Sequence, residues 1–334
     1  MTTMTQILLP SEKRNPAKAL LDQLDLDSGE RIPKRSGFGI MLLLSAVIAT
    51  AGVITDSTAT VIGAMIIAPL GTPILGIAIG IVTGRGGLVA RSTLWVAGGL
   101  AAVVAIGALF SFAVVDPGDL ASNSQVAGRT SPTLMDLVAA LATGVAGAFA
   151  MCRRDLSAVL PGVAIAISLV PPLAVVGVCA GQGQWNLAFG AFLLFFSNVV
   201  AMIIAGSAVF TLAGYTRDPD ALPARRARAY AIVAVLTVVM LLPLAFNTLL
   251  VLVKAQWTAD ISSATTEWLG DDFEGEFQGI EWDNLTARVA VESPDGDVPQ
   301  VAGLRSLLSS KLPGLVSVEL NVSDGVVVPV LPAP

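Results

Sequence analysis

The sequence predicts an all-α polytopic membrane protein of about seven transmembrane helices, followed by a small extracytoplasmic α/β domain. Hydrophobic residues make up 54% of the chain and charged residues only 13%, whereas a soluble domain averages about 25% charged residues. Seven apolar runs approach the roughly 20 residues that a helix needs to cross the hydrocarbon core. They cover residues 37–54, 59–82, 92–115, 134–152, 157–180, 187–213 and 229–253.

The distribution of lysine and arginine predicts the orientation of these spans. Residues 1–36 form a basic tail, which precedes the first apolar run and places the N-terminus in the cytoplasm. With this orientation the extracytoplasmic links contain one cation, Arg129. The cytoplasmic links contain Arg85, Arg91, Arg153, Arg154, Arg217, Arg225, Arg226 and Arg228. Seven spans over residues 37–254 then leave the acidic residues 255–334 outside a cytoplasmic membrane.

Two segments of the chain resemble each other at a constant offset of 99 residues. The matching pairs are Asp56 and Asp155, Ala59 and Ala158, Gly63 and Gly162, Leu70 and Leu169, and Pro73 and Pro172. The first segment opens the second span and the other opens the fifth, which runs in the opposite direction. Spans one to three and four to six therefore form a predicted inverted 3+3 repeat, the arrangement that encloses the substrate site of many secondary transporters.

Prolines interrupt both members of this repeat near the middle of their spans. The interruptions lie at Pro69–Pro73 and at Ser168–Pro172. A proline inside a helix removes a hydrogen-bond donor, and freed backbone groups at membrane depth must face protein or a wet cavity. Two proline-broken helices at matched positions therefore indicate a cavity between the halves. Two packed proline kinks are the alternative.

The same residues carry a family resemblance. Asp56-Ser57, the run Val61–Leu70 and Thr72-Pro73 resemble the signature of the uncharacterised hydrophobic-domain membrane proteins, the family of unknown function numbered 389. Later blocks around residues 131–147 and 170–173, together with Phe192–Phe195 and Asn198, are similar to that family as well. The resemblance covers about residues 40–215. It implies a bacterial or archaeal membrane protein and supplies no substrate or catalytic residues.

The predicted site residues each have a structural alternative. Asp56, Ser57 and Asp155 precede spans and are suited to helix N-capping, or to binding a coupling Na⁺ or H⁺. Asn198 can hydrogen-bond between helices or contact the substrate. The predicted substrate- or ion-binding residues are Asp56, Ser57, Pro69, Thr72, Pro73, Asp155, Ser168, Pro171, Pro172 and Asn198. Gly76, Gly80 and Gly84 form a predicted helix-packing face.

The acidic C-terminal region is predicted to be a small α/β domain. A helix from Trp257 to Trp268 continues the seventh span. Alternating apolar residues at 285–291 and at 316–322 indicate two half-buried strands, which flank a helix near residues 300–312. This domain shows no catalytic constellation, and it offers a surface for contacts between copies of the chain.

The absence of histidine excludes the commonest proton shuttle and metal ligand. We identify no nucleotide-binding loop, and Cys152 and Cys179 are suited to apolar packing. We therefore expect no enzyme activity, no cofactor beyond a coupling ion and no nucleic-acid partner. The leading prediction is a homo-oligomeric secondary transporter or permease in the lipid bilayer, for a small solute or ion. The alternatives are a passive ion channel, and a non-transporting sensor or scaffold that acts through the C-terminal domain.

Overall fold

The computed structural model describes most of the chain. The described residues are 10, 12–114, 120–156, 169–217, 223–270, 273, 276–283, 285–293, 298–323 and 326–331. The chain divides into two compact units, Met1–Asn247 and Thr248–Pro334. Each unit has its own apolar core.

The first unit is built from helices. They are α1 (Ala17–Leu24), α2 (Arg31–Ile54), α3 (Thr58–Ile67), α4 (Gly71–Thr83), α5 (Gly86–Phe110), α6 (Ser124–Thr130), α7 (Leu134–Cys152), α8 (Val170–Gly181), α9 (Trp185–Leu212) and the long α10 (Pro223–Leu269), which continues into the second unit. Helix α1 lies within the residues predicted as a basic tail, and α2 begins at Arg31, before the predicted start of the first span.

Four helices among the described residues are long and apolar enough to cross a membrane. They are α2, α5 with its extension to Ala113, α7 and α9, with mean hydropathies between 1.8 and 2.4. The pair α3 and α4, bent by 48°, makes a fifth span when counted as one. The chain is therefore a multi-pass membrane protein. The predicted fifth span falls partly on residues 157–168, outside the described residues, and the predicted seventh falls within α10.

Helix α4 lies at the centre of the first unit. Every residue from Pro73 to Thr83 is buried, and α4 packs against α5 and α9. A helix that is apolar on all sides lies in a protein core or spans a membrane, and α4 has this composition. Helix α4 thus forms the core around which the longer helices pack.

The connections between the helices gather at two ends of the first unit. At one end, which we call the basic end, Asn15 contacts Met151 and Tyr215, and Asp25 contacts Arg91. At the other end, which we call the opposite end, the link after α2 contacts α6 through Asp56 and Ser124, and Gln182 donates to the Ser111 carbonyl. These contacts group the connections as the charge pattern predicts.

The second unit contains a four-stranded sheet in the order β1-β2-β3-β4. The strands are β1 (Glu276–Asp283), β2 (Thr286–Glu292), β3 (Ser317–Val322) and β4 (Val326–Leu331), and α11 (Val301–Ser309) connects β2 to β3. The central pair β2 and β3 is parallel, and each outer pair is antiparallel. The predicted small α/β region is confirmed, with the two predicted strands at its centre, whereas β1 and β4 had not been predicted.

Candidate functional site

A serine from α2 completes the hydrogen bonding at the break between α3 and α4. The break contains Pro69, which has no backbone N–H to donate. The hydroxyl of Ser45 donates to the carbonyl oxygen of Ala64 at 2.8 Å, and Ser45 is fully buried. Because an unpaired backbone carbonyl is costly in hydrocarbon, this hydrogen bond stabilises the bent span.

Helix α5 runs alongside both short helices, first α4 and then α8. In order along α5, the contacts join Val89 to Gly80, Ser92 to Gly76, Gly99 to Leu70, Gly107 to Ala174 and Ser111 to Gly181. From the N-terminal to the C-terminal end of α5, the contacting residues of α4 have decreasing numbers and those of α8 have increasing numbers. Helix α4 is therefore antiparallel to α5, and α8 is parallel to it.

The N-terminal ends of α4 and α8 consequently lie at nearly the same level along α5, near its middle. Leu70, the residue before α4, lies against Gly99, and Ala174 in the second turn of α8 lies against Gly107. With a rise of about 1.5 Å per residue, the two helix starts are separated by roughly 6 Å along α5. The first turns of both helices thus lie at one level, in the middle of the bundle.

The same packing recurs on α9 at the offset of 99 residues. The equivalent contacts are Gly107 with Ala174 and Gly177, and Gly206 with Leu75 and Ala78. Helices α4 and α8 begin 99 residues apart, and so do α5 and α9. Each long helix therefore packs on the short helix of the other half, at equivalent positions.

Asn198 lies near the middle of α9 and is 3% exposed. Asn198 follows Gly99 by 99 residues. Its position on α9 is therefore equivalent to the position on α5 that contacts Leu70, just before α4. Its neighbour Ser197 is also buried and donates its hydroxyl hydrogen to the Leu194 carbonyl oxygen at 2.8 Å. Asn198 is thus a buried amide at the level on α9 that corresponds to the start of a short helix.

The second span is broken at Pro69, as predicted, whereas Pro73, Pro171 and Pro172 begin helices and do not interrupt a helix interior. Pro73 is the third residue of α4, and Pro171 and Pro172 occupy the first turn of α8. The first N–H groups of a helix have no intrahelical acceptor, so a proline there removes no hydrogen bond. All three prolines are buried, and they stabilise the positions at which the half-helices start.

The other residues predicted at the breaks divide into two groups. Pro69 lies between α3 and α4, and Thr72 is the second residue of α4. Both residues are half-buried. Ser168 lies outside the described residues. Its predicted role stays a prediction.

Asp56 lies at the opposite end and binds the start of α6. Its carboxylate accepts hydrogen bonds from the Ser124 hydroxyl at 2.6 Å and from the Gln125 backbone N–H at 3.2 Å. The Ser124 hydrogen bond is the main cause that lowers the pKa of Asp56 below its ordinary value. Ser57 caps α3 by accepting from the Thr60 N–H. Both side chains therefore serve helix N-termini in this structure.

Asp155 lies at the basic end and is exposed on its surface. Its carboxylate accepts from Arg153 at 2.6 Å and pairs with Lys13 at 3.5 Å. The hydrogen bond from Arg153 lowers the pKa of Asp155 to about 2. The two carboxylates related by the offset thus lie at opposite ends of the bundle, and both are engaged in local hydrogen bonds.

The glycines of α4 have two different surroundings. A methyl group on Gly76 would lie 2.7 Å from the Ser92 hydroxyl oxygen, and one on Gly80 would lie 2.8 Å from a methyl carbon of Val89. These two glycines allow the close approach of α5. Gly84 instead ends α4, with a left-handed φ of 71° that glycine adopts without steric strain.

Two cavities lie away from the predicted site residues. One, of about 850 Å³, is lined by charged side chains of the N-terminal region and of the α4–α5 turn, including Asp22, Asp25, Arg85 and Arg91. The other, of about 430 Å³, is apolar and lies between α5 and α9 over α4. Neither is lined by the residues around the starts of α4 and α8.

The structure defines a multi-pass membrane protein. Residues 65–204 match the model of a domain of unknown function, DUF389, so the predicted family resemblance is confirmed. The chain is 29% identical over 203 residues to an uncharacterized protein of Methanocaldococcus jannaschii. This similarity covers 61% of the chain and 62% of that relative, which is less than two thirds of its length. No solved structure matches the chain.

Proposed function

We propose that this protein is a secondary transporter for a small solute or ion. Its substrate site lies between the N-terminal ends of α4 and α8, beside Asn198. The observation that carries this proposal is that α4 and α8 run in opposite directions and begin at nearly the same level, near the middle of α5. Transporters with inverted repeats bind substrate between interrupted helices at the midplane.

The proposed membrane topology is the inverted 3+3 repeat followed by a seventh span within α10. The equivalent helix starts and the equivalent glycine contacts support the repeat. The cations gathered at the basic end support a cytoplasmic position for that end and an extracytoplasmic C-terminal domain. The contacts around Asn15 and Arg91 provide the structural grouping on which this assignment rests.

The chemistry of the proposed site favours a substrate with a negatively charged or electron-rich group. The N-terminal ends of α4 and α8 carry partial positive charge. Pro73, Pro171 and Pro172 supply no N–H there, and the Thr72 N–H donates to the Pro69 carbonyl oxygen, so the attraction for the substrate comes from the helix dipoles. Thr72 and Asn198 provide a hydroxyl and an amide for orientation. Asp155, whose pKa is about 2, stays ionised near neutral pH and is therefore unsuited to carry a coupling proton.

Ligand-dependent thermal stability of the purified protein, screened over ions and metabolites, tests this proposal. A ligand present at 100 times its dissociation constant stabilises the folded state by about 2.7 kcal/mol. We expect Asn198→Ala to abolish the stabilisation by a hit. Ser207→Ala, a buried change on the same helix, should retain it. A hit whose effect is unchanged in Asn198→Ala would contradict the proposed site.

Two outcomes would favour the other functions. A passive ion channel would give flux that needs no gradient of a coupling ion and does not saturate at modest concentration. A sensor or scaffold would keep its whole phenotype in residues 255–334, and the transmembrane region alone would bind no ligand. Transport that survives deletion of residues 255–334 would support the transporter.

A further inference from the structure

The N-terminal segment over residues 13–28, which we call the N-terminal strap, is packed into the basic end. Leu20 and Leu24, one helical turn apart on α1, are both fully buried, and Leu26 is 6% exposed. Their side chains belong to the same apolar core as α4 and α9. The strap is therefore held by burial of apolar side chains as well as by polar contacts.

One end of the strap is anchored to the second half of the bundle. The Asn15 amide donates to the Met151 carbonyl oxygen at 2.7 Å, and the Asn15 N–H donates to the Cys152 carbonyl oxygen at 2.8 Å. The Tyr215 hydroxyl donates to the Asn15 carbonyl oxygen at 2.7 Å. Asn15 thus joins the end of α7 to the segment that follows α9.

The other end of the strap is anchored to the first half. Asp25 pairs with Arg91 of α5 at 2.7 Å, and Asp27 accepts a hydrogen bond from the Trp95 indole N–H at 3.3 Å. The Arg91 side chain is 48% exposed. Asp25 is only 11% exposed, so the pair is partly buried and salt screens it in part.

The strap also reaches close to the proposed substrate site. The Leu24 carbonyl oxygen lies 2.8 Å from the position of a methyl group on Gly76. Gly76 is five residues from the start of α4, which corresponds to about 8 Å along the helix. The strap therefore covers the part of α4 that lies between the basic end and the level at which α4 and α8 begin.

We propose that the N-terminal strap is a gate, which closes the basic-end route to the substrate site by bridging the two halves of the bundle. This inference rests on the proposed transport function for its role, but the opening of the strap is independent of any substrate. Release of either anchor separates the halves at this end and admits water to the surface between α4 and α5.

A cysteine beneath the strap measures this opening. In a background with Cys152→Ala and Cys179→Ala, Ser92→Cys places a thiol at a position that is 3% exposed. The Ser92 oxygen lies 2.7 Å from the same methyl position on Gly76 that faces Leu24. A water-soluble maleimide can reach this thiol only when the strap lifts.

Two conservative variants release one anchor each. Tyr215→Phe removes the hydrogen bond to Asn15, and Asp25→Asn removes the pair with Arg91. Each should accelerate labelling about five- to tenfold, as expected for the loss of one hydrogen bond. Gln23→Ala, a change at an exposed residue of α1, is the matched control and should leave the rate unchanged. High salt should accelerate labelling with Asp25 present and have little effect in Asp25→Asn.

The outcomes separate the gate from the transporter. Equal labelling rates in Tyr215→Phe, Asp25→Asn and Gln23→Ala would overturn the strap as an opening element, whatever the ligand screen finds. Faster labelling in both anchor variants would support it even if no ligand had been identified. If both variants labelled faster but left uptake of an identified substrate unchanged, the gating role would be overturned and the transporter would stand.

Discussion

Gly107 is a position at which an added methyl group should be poorly tolerated. In Gly107→Ala the methyl group would lie 2.8 Å from the Ala174 carbonyl oxygen and 2.9 Å from the Gly177 Cα atom. Both contacts are with backbone of α8, so no side chain can rotate away. Overpacking of this kind costs about 3 kcal/mol at the upper end of its usual range. Replacement of a helical glycine by alanine recovers about 1 kcal/mol of helix propensity.

The net loss is therefore about 2 kcal/mol. In a domain of this size a loss of 1 kcal/mol lowers Tm by roughly 2–4 °C, so Gly107→Ala should melt about 4–8 °C below the wild type in detergent. Gly98→Ala, on the same helix with open space around it, is the control and should equal or slightly exceed the wild type. If the two variants had the same Tm, α5 and α8 would not cross at Gly107. The inferred level of the two helix starts along α5 would then be wrong.

Three further predictions concern hydrogen bonds and pH. Ser45→Ala leaves the Ala64 carbonyl without its donor and should destabilise by about 1–3 kcal/mol, measured by thermal unfolding; an unchanged Tm would show that the break needs no serine. Burial raises the pKa of Tyr215 to about 12. The contribution of Tyr215 to the free energy of unfolding is therefore complete below pH 10 and is lost as the pH rises to 12. The difference in absorbance at high pH between wild type and Tyr215→Phe should show no ionisation below pH 11. The hydrogen bond from Arg153 lowers the pKa of Asp155 from 3.8 to about 2. The contribution of Asp155 to the free energy of unfolding is therefore present above pH 3.8 and lost towards pH 2. Asp155→Asn should remove this part of the acid dependence of Tm.

The sequence is most informative where hydrophobic length and internal similarity determine the structure. The apolar runs predict the positions of α2, α5, α7 and α9 because the hydrocarbon thickness sets the length of a span. The offset of 99 residues, seen first in the pair Leu70 and Leu169, recurs in the starts of α4 and α8. Similar sequences start helices at similar residues, so this regularity could be predicted locally.

Contacts between distant segments could not be predicted from local patterns. Asp56 looked like a cap for the helix directly after it, yet it caps α6, whose first residue Ser124 is 68 positions away. The strap was expected to be a tail, because two leucines of a short helix are a weak signal. Leu20 and Leu24 become buried because the glycine face of α4 leaves room for the chain, and that room depends on the assembled bundle.

Beta-strand prediction failed at the edges of the C-terminal sheet for a similar reason. Strands β2 and β3 alternate regularly and bury Ala287, Val289 and Val291 on one face. Strand β1 contains Gly279 in a positive-φ conformation at an irregularity of the register. A bulge shifts the side-chain alternation by one residue, so the period of two is lost along β1.

Thiol labelling of a cysteine at position 72 most directly tests the central claim, a water-accessible site where the half-helices begin. Thr72→Cys, in the background lacking both native cysteines, should react with a small charged thiol reagent added to either side of a sealed membrane vesicle. Reaction from both sides is the result that an alternately accessible site predicts. An unreactive thiol on both sides, in protein that retains the wild-type Tm, would place the starts of α4 and α8 in a sealed apolar core and contradict the transporter.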